Sequence, residues 1–180
     1  MKVIVILQAR TASTRLPGKA LLPVAGYPCA VLAALRAANR GHDLLVATSD
    51  HSSDDELAET FRGYGIKVFR GALDDVLGRY YFATLDLPGD CIVVRLTGDN
   101  VFPDGEFVQQ LTAAFLQTHS EHAHCEYLGV SSPQSRLPYG LGGEVFFVDT
   151  LRKAHAGARS AYDREHVGPP RCPAEYGRSG

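Results

Sequence analysis

The sequence predicts an α/β domain built on an open, Rossmann-like, mostly parallel sheet with helices on both faces. Three observations carry that expectation. Short runs rich in Val, Ile and Leu recur at residues 3–7, 44–47, 68–69 and 92–96, as expected of strands buried on both sides. Segments of helical period lie between them, giving the order β-α-β-α-β-α-β-α. The chain has 180 residues, 45% hydrophobic and 21% charged, which is globular composition and enough for one core but not two.

The elements follow in order. Residues 3–7 meet Gln8 and Arg10 too soon to form a signal-peptide core, so they read as the first strand. Val31, Leu32 and Leu35 mark a helix after Pro28. Between 54 and 64, Leu57, Phe61 and Tyr64 share a face, and Ser53-x-x-Glu56 reads as a capping box. Val76, Leu77, Tyr80 and Tyr81 mark a helix after Asp74-Asp75. At least two of Tyr80, Tyr81 and Phe82 belong to the core by helical period, so packing is preferred to base stacking. The dipole of a helix start accounts for Asp54, Asp55, Asp74 and Asp75. From 106 to 117, Phe107, Leu111 and Phe115 fall at four-residue steps, with Asp104 as the cap. The second half is less regular, with a strong strand at 144–148. Residues 1–168 read as a single domain, and 169–180 as a poorly ordered tail.

Charge and cysteine content narrow the function classes. Eighteen Lys+Arg against twenty Asp+Glu give a net charge of −2, so no broad basic surface exists for nucleic acid and any bound anion needs a local cluster of cations. No apolar stretch approaches the roughly 20 residues that span a bilayer. The four cysteines, 29, 91, 125 and 172, form no C-x-x-C pair and read as buried thiols, which points to the cytoplasm. His119, His122 and His124 lie close to Glu121 and Cys125, yet lack the paired spacing of a zinc site and read better as a solvated loop. No G-x-S-x-G elbow supports a Ser-His-Asp triad.

In open α/β sheets ligands bind beyond the carboxyl ends of the strands. Two stretches stand there. Gln8-Ala9-Arg10-Thr11-Ala12-Ser13-Thr14-Arg15-Leu16-Pro17-Gly18-Lys19 directly follows the first strand. Its cations and hydroxyls suit a polyphosphate, although the same charge run also reads as a solvated loop. It is neither a Walker A loop nor a G-x-G-x-x-G fingerprint. Arg95-Leu96-Thr97-Gly98-Asp99-Asn100 ends the fourth long strand, placing the Asp99 carboxylate to hold Mg²⁺ against phosphate oxygens.

The opening string resembles that of the CMP-sugar cytidylyltransferases, which activate 2-keto-3-deoxy sugar acids. Further strings resemble the branch of spore-coat polysaccharide biosynthesis protein SpsF: Val46-Ala47-Thr48-Ser49-Asp50, Val68-Phe69-Arg70-Gly71, Asp75-Val76-Leu77-x-Arg79-Tyr80, Arg95-Leu96-Thr97-Gly98-Asp99, Gly140-Leu141-Gly142-Gly143-Glu144-Val145-Phe146 and Arg164-Glu165-His166-Val167. The resemblance implies a nucleotide-diphospho-sugar transferase fold with CTP at the sheet's carboxyl edge. It implies that Arg10, Arg15 and Lys19 contact the triphosphate, that Ser13 and Thr14 add hydrogen bonds, and that Thr48, Asp50 and Arg79 line base and ribose. Asp99 would hold Mg²⁺, with Glu144 as a further polar group of the nucleotide and sugar site. The implied reaction transfers CMP from CTP to a sugar acid for polysaccharide or glycan assembly, releasing pyrophosphate. A homodimer is also implied.

Two positions differ from the family pattern. Gly142 stands where the branch carries aspartate. The family's Val-Asp-x-Pro-Glu-Asp-Leu segment, whose first aspartate supplies a second metal carboxylate, does not follow Val167-Gly168-Pro169 within these residues. The alternative reading is therefore a catalytically weak nucleotide-binding or regulatory relative. A nucleotidyltransferase acting on a sugar phosphate or polyol phosphate is a third.

Overall fold

A computed structural model describes residues 1–12, 16–122, 125–130, 137–138, 140–165 and 167. Its main sheet has six strands, ordered β5-β4-β1-β6-β8-β7. These are β1 (Val3–Gln8), β4 (Asp43–Ser49), β5 (Val68–Gly71), β6 (Ile92–Thr97), β7 (Tyr127–Val130) and β8 (Gly143–Phe147), with β2 (Pro23–Val24) and β3 (Tyr27–Pro28) forming a separate hairpin. β5, β4, β1 and β6 run parallel, whereas β8 is antiparallel to both β6 and β7. These four parallel strands lie where the apolar runs predict them, each extended by one to three residues.

Side-chain alternation along these strands builds two cores. Val5 and Leu7 of β1 face α1 (Cys29–Ala37), α2 (Asp55–Gly63) and α4 (Gly105–Glu121), packing with Ala34, Phe61 and Phe115. Ile6 points the other way, toward Leu77 and Tyr80 of α3 (Val76–Ala83) and Leu151 of α5 (Val148–Gly157). A final short helix, α6 (Ala161–Glu165), packs on α3. Helices thus cover both faces, as the alternating pattern predicts. No helix among the described residues is long and apolar enough to cross a membrane.

Several local expectations need correction. In α1 the alanines, not Leu35, meet the sheet: Ala30, Ala33, Ala34 and Ala37 are buried while Leu35 is exposed. Small side chains let this helix lie close to β4. The Ser53-x-x-Glu56 capping box does not form. Instead the His51 ring accepts the Ser53 N–H at 3.2 Å to cap the 3₁₀ turn Ser52–Asp54 that precedes α2. Tyr64 is exposed beside Tyr27 rather than buried with Leu57 and Phe61. Of the three aromatics in α3, Tyr80 alone is fully buried; Tyr81 stacks on His155 at 4.0 Å and Phe82 is exposed.

Asp104 caps α4 as expected, accepting the Phe107 N–H at 3.0 Å. The hairpin β2–β3 and the strand β7 have no counterpart in the sequence reading. The hairpin's strands are two residues long and contain Pro23 and Pro28, which argue against strand. Its turn residues, Ala25 and Gly26, both have positive φ, the twist that two-residue hairpins favour. The tail 169–180 lies outside the described residues.

Candidate active site

The chain reaches β4 on one side of β1 and β6 on the other, so the strand order reverses between β1 and β6. A cavity of about 670 Å³ opens there, walled by Gln8, Ala9, Arg10, Ala12, Pro17, Lys19 and Ala20 at and beyond the end of β1 and by Thr97, Gly98 and Asp99 at the end of β6. Switch points are where open α/β sheets bind ligands, because the connections diverge and leave a crevice. Two backbone contacts set its floor. The Gly98 N–H donates to the Gln8 carbonyl at 2.8 Å, and the Ala9 N–H to the Ala47 carbonyl at 3.2 Å. Gly98 has no room for a side chain, since a Cβ there would stand 2.9 Å from the Ala9 Cβ.

Lys19 and Asp99 come from opposite walls and meet, Nζ to Oδ2 at 2.8 Å. Both side chains keep access to solvent, at 37% and 50% exposure, so either group can turn to a ligand at little cost. Burial pushes the Asp99 carboxyl upward, but hydrogen bonds from Lys19 and Thr97 outweigh it and hold the group below the usual carboxylate range. Asp99 is therefore ionised at neutral pH. Arg10 also lines the cavity and is exposed. Behind the wall, burial raises the Cys29 thiol, which the nearby Asp99 charge reinforces.

The other residues singled out from the sequence are distributed differently. Ser13, Thr14 and Arg15 lie outside the described residues. Thr48 is fully buried at the end of β4, with its hydroxyl unpartnered. Asp50 is exposed and gives its N–H to the Gly71 carbonyl at 2.8 Å. Arg79 is 2% exposed, its Nη1 donating to the Ala72 and Leu73 carbonyls at 2.7 and 2.9 Å. Burial dominates at this guanidinium and lowers its pKa. None of these three side chains lines the cavity.

Glu144 reaches it indirectly. Its carboxylate pairs with Arg95 Nη1 at 2.6 Å, and Arg95 Nη2 donates to Gln8 Oε1 at 2.9 Å, on the cavity wall. Arg95 also lies over the Tyr80 ring, 5.8 Å from its centroid. Burial pushes Tyr80 up to about 12 despite the attraction of Arg95, so its phenol stays neutral and donates to the Ile6 carbonyl at 3.3 Å. The signal for this network was Arg95 itself, a charge inside an otherwise apolar run.

The helix-start reading holds for Asp75, the N-cap of α3, and for Asp55 in the first turn of α2. Asp75 caps α3 through the Gly78 N–H and pairs with Arg164, and Asp55 pairs with Arg70. Asp54, by contrast, makes no side-chain bond to its own helix and is fully buried. At the far end of the sheet, the His119 ring packs between Phe115 and Phe147 with Nδ1 3.0 Å from the Cys125 carbonyl. His124 lies outside the described residues, and among those described no three His, Cys, Asp or Glu side chains are grouped to hold a metal.

A switch-point crevice lined by a lysine, an arginine and one aspartate is the place where an α/β fold of this topology takes its ligand. The cytidylyltransferase family model matches residues 4–174, and the chain belongs to that family. It is similar to an uncharacterized protein of Methanocaldococcus jannaschii, 36% identical over 94% of this chain and 66% of the relative. It is also similar to the spore coat polysaccharide biosynthesis protein SpsF of Bacillus subtilis, 31% identical over 83% of this chain and 60% of that protein. The chain thus spans less than two thirds of each. Among solved structures, a cytidylyltransferase from Leptospira borgpetersenii superimposes with a TM-score of 0.80 at 32% identity, over 93% of this chain and 69% of that one. A CMP:2-keto-3-deoxy-manno-octonic acid synthetase complexed with CTP shares the fold, with a TM-score of 0.66 at 19% identity over 89% of this chain and 80% of that one.

Proposed function

We propose that this chain binds CTP in the cavity between β1 and β6 and transfers CMP to a sugar acid, releasing pyrophosphate. The observation that carries the reading is the Lys19–Asp99 pair at 2.8 Å across a switch-point cavity of about 670 Å³. In this reading the triphosphate lies along the opening loop, with Arg10, Arg15 and Lys19 offsetting its charge and Ser13 and Thr14 adding hydrogen bonds. The exposed Asp50 flanks base and ribose from the β4 side, and the buried Thr48 and Arg79 support that side from beneath, Arg79 by holding residues 72 and 73 in place. An acceptor hydroxyl attacks the α-phosphorus: a new P–O bond forms, the bond to pyrophosphate breaks, and the hydroxyl proton is released. Such transfer asks little covalent chemistry of a protein, so positioning and charge neutralisation supply most of the rate.

Mg²⁺ fits this donor set. Asp99 is an ionised, half-exposed carboxylate facing the cavity, and Mg²⁺ is commonly held by one or two carboxylates together with phosphate oxygens and water. Asp99 would be its protein ligand, and the ion would supply charge neutralisation on the phosphates. Glu144, through Arg95 and Gln8, supports the side of the cavity where an acceptor would enter.

The sugar-acid acceptor and the role in polysaccharide assembly are supported by the name of the SpsF relative and by a relative named 3-deoxy-manno-octulosonate cytidylyltransferase, from Acidithiobacillus ferrooxidans, 37% identical over 55% of this chain and 40% of that protein. The buried thiols Cys29 and Cys91 suit a reducing compartment and support the cytoplasm. Pairing of two copies belongs to the same reading and is tested by sedimentation. The decisive assay is pyrophosphate release from CTP and Mg²⁺ with a panel of keto-sugar acids. Turnover with at least one acceptor supports the proposal; CTP binding without release for any of them contradicts it.

A further inference from the structure

Asp54 carries a fully buried carboxylate, met by hydrogen-bond donors on both oxygens. Burial pushes its pKa up, but hydrogen bonds from Ser49 and Thr11 outweigh that and hold it below the usual carboxylate range. The donors are specific. Oδ1 accepts the Thr11 N–H and the Thr11 hydroxyl, each at 2.7 Å, and Oδ2 accepts the Ser49 hydroxyl. Since the side chain does not cap α2, its bonding is spent on a segment 43 residues away in sequence.

That segment is the neck of the loop after β1. The Thr11 carbonyl accepts the Gly18 N–H at 3.1 Å, which closes the loop across its base. Gly18 turns there with a φ of 71°, and the next residue, Lys19, reaches Asp99 at 2.8 Å. Arg10 sits on the other side of the neck, immediately before Thr11. The Asp54–Thr11 and Thr11–Gly18 hydrogen bonds therefore anchor the backbone immediately beside both cavity cations, Arg10 next to Thr11 and Lys19 next to Gly18. We propose that Asp54 is the positioning residue of the loop, fixing where Arg10 and Lys19 enter the cavity without touching a ligand itself. A carboxylate suits the task because both oxygens accept, and hydrogen bonds to a charged acceptor are about twice as strong as neutral ones.

The inference rests on the nucleotide reading for its consequence but not for its geometry, and the test separates the two. In the full chain, amide hydrogen exchange is followed at Gly18 and at Ile6 of β1, alongside calorimetric titration with CTP and Mg²⁺. Asp54→Ala removes three hydrogen bonds to a charged group and is expected to speed Gly18 exchange about tenfold or more relative to Ile6, and to weaken CTP binding by a similar factor. Asp54→Asn, which keeps an acceptor for Thr11, should recover most of both effects. Ser49→Ala removes only the Oδ2 donor and should move both readouts the same way by less, which preserves the test if Asp54→Ala does not fold. If Gly18 exchange instead tracks Ile6 and CTP affinity stays at the wild-type value in the Ser49 and Asp54 variants, the inference is wrong. Failure of the wild type to bind CTP would sink the nucleotide reading, while the Gly18-to-Ile6 ratio would still decide the role of Asp54.

Discussion

Gly98→Ala tests how tightly the cavity floor is built. A Cβ at this position would stand 2.9 Å from the Ala9 Cβ, 3.2 Å from the Ala30 Cβ and 3.4 Å from Leu7 Cδ2. Ala9 and Ala30 are 6% and 0% exposed, and an alanine has no rotamer with which to give way. Relief must come from the backbone, either of β1 or of the segment carrying Asp99. Overpacking of this kind costs about 1–3 kcal/mol, which for a chain of this size lowers Tm by about 2–12 °C. The displacement would also shift Asp99 relative to Lys19, so CTP affinity should fall with stability. Thermal unfolding by circular dichroism reads the first effect and calorimetry the second. Ala9→Gly removes the shortest contact, so in the double variant Gly98→Ala should cost less than it does alone. A Gly98→Ala protein as stable as wild type, or a double-mutant cycle with no coupling, would refute the packing argument.

Other expected outcomes follow from the same geometry. Lys19→Ala removes an exposed ion pair, worth about 0–1 kcal/mol to folding, so unfolding in urea should barely change while CTP affinity drops by about tenfold or more; an unchanged affinity would exclude Lys19 from the phosphate site. Glu144→Ala leaves Arg95, only 16% exposed, without its carboxylate, and should cost about 3 kcal/mol in urea unfolding, less when paired with Arg95→Met. Asp54 and Asp99 are both held below the ordinary carboxylate range. Between those lowered values and about 3.9 the unfolded chain binds more protons, so stability rises with pH there: it is fully present above about pH 4 and lost in stronger acid. Asp54→Asn should flatten that acid arm of the Tm profile, and an unaltered arm would contradict the assignment.

The sequence reading succeeds where information is local. Apolar runs of four or five residues locate β1, β4 and β6 because strands buried on both faces need no alternation. The position of Lys19 and Asp99 just after two of those strands is enough to bring them together once the strands are neighbours. Other features depend on distant partners. Asp54 sits where helix dipoles attract acid, and nothing within its own segment reveals that it serves Thr11 across the fold. Arg79 resembles a ligand-binding arginine in its motif, yet its guanidinium closes on two carbonyls of its own preceding turn. In α1 the leucines dominate the periodic pattern, but it is the alanines that allow close approach to the sheet. Tyr-Leu-Gly-Val of β7 is short and glycine-containing, so it becomes a strand only through pairing with β8.

A crystal structure of the chain with CTP and magnesium would show where the nucleotide binds. The triphosphate is expected in the crevice between the ends of β1 and β6, its oxygens drawing Lys19 away from Asp99, with the ion on the Asp99 carboxylate. Nucleotide bound elsewhere, or Lys19 and Asp99 still closed on each other at 2.8 Å with CTP at saturating concentration, would contradict it.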